Sequence, residues 1–434
     1  MTASEARPRR GLPAALSRLV AAEPEEVPAV LAGFLLFFLL FTGYFMLRPV
    51  RETMGVAGGV DNLQWLFTGT FVVTLLVTPI YGWVARAVPR ERLLPVCYLF
   101  FAASFVAFAL GIWRAADDVW LGRGFYVWLS MFTLFVVSIG WSFMADVMRP
   151  GQAKRLFGQV AAGASLGGLA GPLVSGLLVA HVGHAGLLLI SAALLIGCLV
   201  PVRLLLQWRA RQPRAEGEAR AASRPIGGGV LAGLTLIARS PYLIGVSVFV
   251  LLLTSVTTFL YFEQARLVEA TFPDETRQTQ VFAAIDVAVQ SLTIFIQIFL
   301  TGHLTRRLGV TVLLTLVPVL MVAGFGLLAA AAAFPVLAGV MILRRVGEYA
   351  LVRPGREMLF TSVDNETKYK AKNAIDTVVY RGGDVLSAWL NTAVAAVGSG
   401  AAVALLGAAI AAAWAALGFR LGRIHDRRAQ PEGT

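Results

Sequence analysis

AVLAGFLLFFLLFTGYFML, residues 29–47, is a run of 19 positions without one acidic or basic side chain. As a helix rising 1.5 Å per residue it is about 28 Å long, close to the ~30 Å hydrocarbon core of a bilayer. The rest of the chain repeats that pattern. Of its 434 residues 57% are hydrophobic and 14% charged, and the mean hydropathy is +0.73. A soluble domain carries nearer ~25% charged residues, so the composition excludes an ordinary cytosolic enzyme. It also excludes intrinsic disorder, which needs low hydrophobicity and high charge. At roughly 20 apolar residues per span, twelve spans need about 240 residues, and the chain holds them.

Apolar runs set against charged or Pro/Gly breaks predict spans at 28–54, 60–85, 92–113, 120–146, 155–180, 184–207, 241–266, 277–303, 309–333, 336–360, 371–397 and 400–421. Pro79, Pro172 and Pro318 fall inside spans, which membrane helices tolerate better than soluble ones. The stretch 161–172, AAGASLGGLAGP, is rich in small residues and predicts a face where two helix backbones approach closely.

Basic residues fix the expected orientation. They cluster in the tail (Arg7, Arg9, Arg10, Arg18), at Arg86, Arg90 and Arg92, at Arg149, Lys154 and Arg155, and along 208–240. They recur at Arg306 and Arg307, at Lys368, Lys370 and Lys372, and at Arg420, Arg423, Arg427 and Arg428. The alternate loops are nearly empty of Lys and Arg. The positive-inside rule then places both termini in the cytoplasm, and it accounts for most of the net charge of +12 without a nucleic-acid partner. No signal peptide is expected, because the first apolar run is itself a span.

The organisation that follows is a cytoplasmic tail 1–27, a six-helix bundle 28–207, a basic cytoplasmic linker 208–240, a second six-helix bundle 241–421 and a tail 422–434. The linker holds Arg209, Arg211, Arg214, Glu216, Glu218, Arg220 and Arg224, then Pro225 and a Gly227–Gly229 run, the composition of a flexible connection. Six spans, a basic loop and six more spans are the layout of a two-bundle secondary transporter of major facilitator type. The expected fold class is an all-α membrane protein of twelve transmembrane helices.

Charges inside spans are costly and therefore mark candidate sites. They concentrate in few places. Arg48, Arg51 and Glu52 end the first span, Asp146 lies near the end of the fourth, Glu263 near the end of the seventh, and Asp286 within the eighth. The tenth and eleventh spans carry Arg344, Arg345, Glu348, Arg353, Arg356, Glu357, Asp376, Arg381 and Asp384. Helix rise puts Glu348 and Asp384 at similar depths, each about 18 Å from the inner end of its span. Pairing of Glu348 with Arg381, and of Asp384 with Arg344 or Arg345, is one expectation. The other is a cavity whose surplus arginines hold an anion, since the planar guanidinium fork suits phosphate or carboxylate. The candidate substrate-binding groups are thus Arg48, Arg51, Arg344, Arg345, Arg356 and Arg381. Glu52, Glu263, Asp286, Glu348, Asp376 and Asp384 are candidates for coupling or helix pairing, and Asp286 reads either as a proton or cation site or as a hydrogen-bonded helix contact.

Other chemistries find no support. Cys97 and Cys198 lie in apolar runs, the four histidines lack ligand spacing, and no nucleophile elbow or phosphate-binding loop is present. No metal, no cofactor and no enzymatic activity are expected, and the missing phosphate-binding loop argues against an ATP-driven pump.

Three blocks then carry a resemblance. LRPVRE at 47–52 is similar to the L-R-x-x-K-D stretch ending the first span of the nucleotide transporter (ATP/ADP translocase) family of plastids and intracellular bacteria, a branch of the major facilitator superfamily. WSF at 141–143 and QAKRLF at 152–157 resemble that family's W-x-F and E-A-K-R-F-Y. RPGREM at 353–358 followed by DNETKYKAKNAID at 364–376 resembles D-P-x-K-E-M followed by D-E-x-T-K-x-K-G-K-A-A-I-D. The resemblance implies a twelve-helix fold whose central cavity binds nucleotide phosphates through basic residues, with Arg51 and Arg356 standing where the family has functional lysines. The chain departs from the family where acidic residues are concerned: 126–141 and 243–262 hold none, Arg353 replaces an aspartate and Gln152 a glutamate.

The expected function is secondary active transport of an anionic, phosphate-bearing or nucleotide-like organic solute by alternating access, in a bacterial inner membrane. Two alternatives stand beside it. One is a proton-coupled exporter of a neutral or amphipathic compound using Asp286 or Glu263, and the other is a non-transporting scaffold acting through 208–240. The expected partners are a small anionic solute and the lipid bilayer. Nucleic acid is not expected, and no partner protein is named by the sequence.

Overall fold

A computed structural model describes residues 22–115, 118–212, 230–363 and 365–429. These residues form helices and short turns, and no strand occurs among them. Residues 1–21 and 430–434 of the expected tails fall outside the described residues, as do 213–229 of the linker, while 422–429 of the expected C-terminal tail continue a helix.

The helices are α1 (Val27–Ala57), α2 (Leu63–Ala87), α3 (Arg90–Arg114), α4 (Val119–Val147), α5 (Pro150–Gly197) and α6 (Leu199–Ala210). They continue with α7 (Val230–Arg239), α8 (Pro241–Thr271), α9 (Glu275–Ile296), α10 (Gly302–Ala330), α11 (Phe334–Gly347) and α12 (Arg353–Leu359), and end with α13 (Asn365–Ala374), α14 (Tyr380–Val397) and α15 (Gly400–Ala429). Nine helical stretches among the described residues are long and apolar enough to cross a membrane. One of them, Arg155–Ala210, contains two expected spans, and α11 to α14 supply the two charged ones, so the helices are consistent with twelve spans.

Local chemistry sets the ends. Ser240 caps α8 by accepting from the Leu243 N–H at 3.3 Å, and Asp274 caps α9 by accepting from the Arg277 N–H at 2.7 Å. Each satisfies one of the donors that a helix start leaves without an intrahelical partner. Gly183 breaks α5 at φ 65° and Gly309 breaks α10 at φ 70°. A side chain would be strained in that region, so glycine lets two spans follow each other with almost no loop. Past the second break, Asp426 of α15 accepts from the Val310 and Thr311 N–H groups, both at 3.2 Å, and from the Thr311 hydroxyl at 2.6 Å.

The chain divides into two compact units that do not follow its midpoint. The first comprises residues 22–48, 78–115 and 129–212; the second comprises 49–77, 118–128, 230–363 and 365–429.

In the first unit, the small-residue face expected at 161–172 packs on α1. A Cβ on Gly167 would lie 2.5 Å from the Phe38 carbonyl oxygen, and one on Gly171 would lie 2.6 Å from that of Thr42; Gly163 meets the Phe34 carbonyl in the same way. Three glycines four residues apart thus bring α5 onto the α1 backbone, as small residues do at close membrane-helix crossings. In the same unit, Phe101 and Phe105 each meet the Phe132 ring edge to face. Near the start of α5, Arg155 reaches Glu26 at 2.9 Å, Gln152 donates to the same carboxylate at 3.0 Å, and the Trp208 indole donates to the Glu25 carbonyl at 2.8 Å. Gln152 and Arg155, two residues of the second resemblance block, tie the start of α5 to the segment before α1, and Trp208 ties the end of α6 to that same segment.

In the second unit, an apolar core forms around Phe249, Phe259, Leu314, Met321 and Trp414. One sequence expectation is corrected here. Residues 230–239 of the linker form α7, which seats Gly233 against the Lys370 carbonyl and the Ala374 side chain of α13. The apolar positions Leu231, Leu234 and Ile237 recur at helical spacing, so this end of the linker has a face to bury.

Candidate functional site

The second unit holds eleven of the twelve candidate site residues; Arg48 belongs to the first, where its guanidinium lies 6.0 Å from the Phe45 ring centre. Two short π-helical turns interrupt the spans that carry most charges. Glu348–Val352 joins α11 to α12, and Ile375–Val379 joins α13 to α14. Such one-turn widenings shift the register of a helix face and recur at functional sites. Each contains one candidate carboxylate, Glu348 and Asp376.

Arg344 and Arg345 precede the first of these turns, and both are buried. The Arg344 Nη1 donates to Glu348 Oε2 at 2.6 Å and to the Thr257 hydroxyl of α8 at 2.9 Å. The Arg345 Nη1 donates to Asp286 Oδ1 of α9 at 2.5 Å. Arg381 lies 3.6 Å from Asp384, one turn along α14. The expected pairing is therefore corrected: Glu348 takes Arg344 instead of Arg381, and Asp384 takes Arg381 instead of Arg344 or Arg345. Partners on the same helix are chosen because residues three or four apart already face each other. Asp286 occupies the helix-contact geometry of its two readings.

Beyond the turn, Arg356 Nη2 lies 3.1 Å from Asp376 Oδ1, and Lys372 Nζ lies 2.5 Å from Glu357 Oε2. The spacing of the third resemblance block thus becomes a double clasp between α12 and the α13 to π-turn segment. Arg353, exposed, rests over the Tyr349 ring at 5.0 Å.

Arg51 and Glu52, at the C-terminal half of α1, are ion-paired at 2.5 Å. The Arg51 guanidinium lies 5.0 Å from the Tyr126 ring centre, and the Tyr126 hydroxyl donates to the Tyr261 hydroxyl at 3.1 Å. Nearby, the Thr53 and Thr279 hydroxyls are 2.7 Å apart and buried. Glu263 meets Arg266 at 3.5 Å, and Arg266 donates to the buried Asn391 amide oxygen at 2.9 Å.

Arg344, Arg345, Glu348 and Asp286 form one buried group, and Arg356, Glu357, Lys372 and Asp376 form another. Arg51 and Glu52 belong with the tyrosines. Sequence reasoning missed Thr257, Tyr126, Tyr261 and Arg266. A hydroxyl or ring inside an apolar run carries no signal of its own, and Arg266 lies at the end of its expected span, where a charge is ordinary. Among the described residues no group of His, Cys, Asp and Glu could hold a metal ion.

Membrane-length apolar helices, with buried arginines held by single carboxylates, define a polytopic membrane protein as a class. The particular family follows from direct comparison: the chain belongs to the Major Facilitator Superfamily, whose pattern matches residues 30–354 of its 434. The chain is also similar to the ADP,ATP carrier protein 1 of Chlamydia muridarum, with 24% identity across 82% of this chain and 80% of that one. It has 23% identity, over the same shares, to the ADP,ATP carrier protein 1 of Chlamydia trachomatis. Among solved structures, a bacterial homologue of the lysosomal transporter Spinster superposes with a TM-score of 0.62 at 14% identity, covering 95% of this chain and all of that one. A bacterial homologue of the iron transporter ferroportin gives 0.61 at 16%, over 90% and 98%. These two likenesses speak to the fold alone.

Proposed function

We propose that the protein is a secondary transporter of a nucleotide-like, phosphate-bearing anion, working by alternating access in a bacterial inner membrane with both termini in the cytoplasm. The observation that carries this reading is the similarity to two ADP,ATP carriers over four-fifths of the chain. The site supports it in kind. Its buried basic groups are arginines, whose forks match phosphate oxygens, and charges of this cost persist within spans where they serve a transported solute. Arg51 and Arg356 are the groups assigned to the solute by the resemblance. Arg344, Arg345 and Arg381 are assigned to it by their burial or depth, and Arg48 by its place beside Arg51.

Glu52, Glu348, Asp376 and Asp384 hold those arginines when no solute does. The proton-coupled alternative loses its named groups, because Asp286 is engaged by Arg345 and Glu263 by Arg266. The alternation of basic and nearly uncharged loops supports the orientation.

The test is exchange of labelled ATP and ADP by purified protein in liposomes preloaded with nucleotides, inorganic phosphate or sugar phosphates. Exchange with at least one phosphate-bearing solute is expected. Proteoliposomes that exchange none of them, while the protein is folded, would sink the reading.

A further inference from the structure

One guanidinium in the arginine cluster differs from its neighbours in what its edges touch. Arg345 is 4% exposed, and its Nη1 is taken by Asp286 of α9 at 2.5 Å. Its Nε and Nη2, which point side by side along the opposite edge, are buried and have no hydrogen-bond partner among the described residues. That edge is the one with which arginine gives two parallel hydrogen bonds to a phosphate or carboxylate. Buried donors are nearly always satisfied, and one left over calls for a specific explanation. Arg344 and Arg356 each leave only Nε in this condition. Arg345 alone among the described buried arginines presents the whole two-donor edge.

The charges around it fit an incoming anion. Asp286 neutralises Arg345, and Glu348 neutralises Arg344. Arg353, about two turns further along the same span, has its guanidinium over the Tyr349 ring and no carboxylate within ion-pair distance among the described residues. A phosphate arriving at this span meets a surplus positive charge.

We propose that Arg345 anchors one phosphate group of the solute through its Nε–Nη2 edge, and that Asp286 is the positioning residue that presents that edge by holding Nη1. This rests on reading the protein as a carrier of phosphate-bearing anions. Arg345→Lys keeps the charge and can keep the pair with Asp286, yet an ammonium has no two-donor edge. Asp286→Asn leaves the guanidinium without its counter-charge, so the unliganded protein loses stability and a bound phosphate restores it.

The test is thermal unfolding of the full-length protein in detergent, titrated with ATP, ADP, pyrophosphate and citrate, since a ligand that binds the folded state raises its midpoint. Arg345→Lys is expected to unfold as the natural protein does without ligand and to bind the phosphates at least tenfold more weakly. Asp286→Asn is expected to unfold earlier without ligand and to gain more from ATP than the natural protein gains. Affinity within twofold of the natural protein in Arg345→Lys overturns the anchor. If that variant does not fold, an ATP-induced rise in Asp286→Asn no larger than the natural one overturns it instead. Citrate binding as tightly as pyrophosphate overturns the assignment to phosphate. A natural protein that binds none of the phosphates overturns the carrier reading itself, a result distinct from binding that Arg345→Lys leaves unchanged.

Discussion

Arg344 and Arg345 are consecutive residues whose guanidinium groups are held by carboxylates from different helical segments. Glu348 takes the first at 2.6 Å from the π turn of the same span, and Asp286 takes the second at 2.5 Å from α9. One pair stiffens a span internally and the other ties two spans together.

The internal pair is open to a direct test of stability. Arg344→Gln leaves Glu348 buried without its cation, and breaking a buried pair from one side costs about 3–5 kcal/mol. The double variant Arg344→Gln with Glu348→Gln removes both charges and is expected to recover most of that loss while transport stays abolished. Denaturant unfolding in detergent and exchange in liposomes read the two effects separately. A double variant as unstable as the single one would show that the pair is not what burial of these groups depends on.

Arg356 is half-buried and clasped to Asp376 at 3.1 Å. Arg356→Lys can keep the clasp and is expected to retain folding and part of the transport rate. Arg356→Ala is expected to lower exchange of labelled ADP by at least a hundredfold, with insertion into the membrane unchanged. Natural rates in the alanine variant would remove Arg356 from the site.

The spans were legible in the sequence because about 20 apolar residues can hardly do anything else in a chain this hydrophobic. Ion-pair partners were not. Depth along a span can be counted from the sequence, but the facing direction cannot once a π turn shifts the register, as it does at Glu348 and at Asp376. Glu348 met Arg344, four residues back on the regular helix that precedes its π turn, although counting depth had placed Arg381 close by, between Glu348 and Arg353. The linker shows the same limit from the other side. Its charges and glycines were plain, while the ten-residue helix Val230–Arg239 became identifiable only with the α13 surface it covers.

The contact between α1 and α5 should be intolerant of added volume. Gly167→Leu places a branched side chain where even a Cβ would lie 2.5 Å from the Phe38 carbonyl oxygen. Overpacking of a well-packed face costs typically ~1–3 kcal/mol and more when the obstacle is backbone. Loss of folded protein in the membrane fraction is expected. Gly158→Ala, on the same helix with nothing within 4 Å of its Cβ, is expected to be neutral or to stabilise by about 0.5–1 kcal/mol. Equal yields of the two variants in size-exclusion chromatography would refute the close crossing.

Thr53 of α1 and Thr279 of α9 place their hydroxyl oxygens 2.7 Å apart in a buried setting, beside the Tyr126–Tyr261 hydroxyl pair at 3.1 Å. Alternating access requires some helix ends to part and others to close in each cycle. The hydroxyl contact between the two threonines is cheap to break, since a neutral hydrogen bond contributes about 0.5–1.5 kcal/mol net. The end of α1 is therefore expected to leave α9 during transport. Replacing both threonines by cysteine, in a background where Cys97 and Cys198 are serine, allows a bond across this contact. Mild oxidation should stop exchange in liposomes and a reductant should restore it, while either single cysteine leaves the rate insensitive to oxidant. Full exchange with the bond formed, verified by mass spectrometry of the linked peptides, would mean that α1 and α9 stay together throughout the cycle.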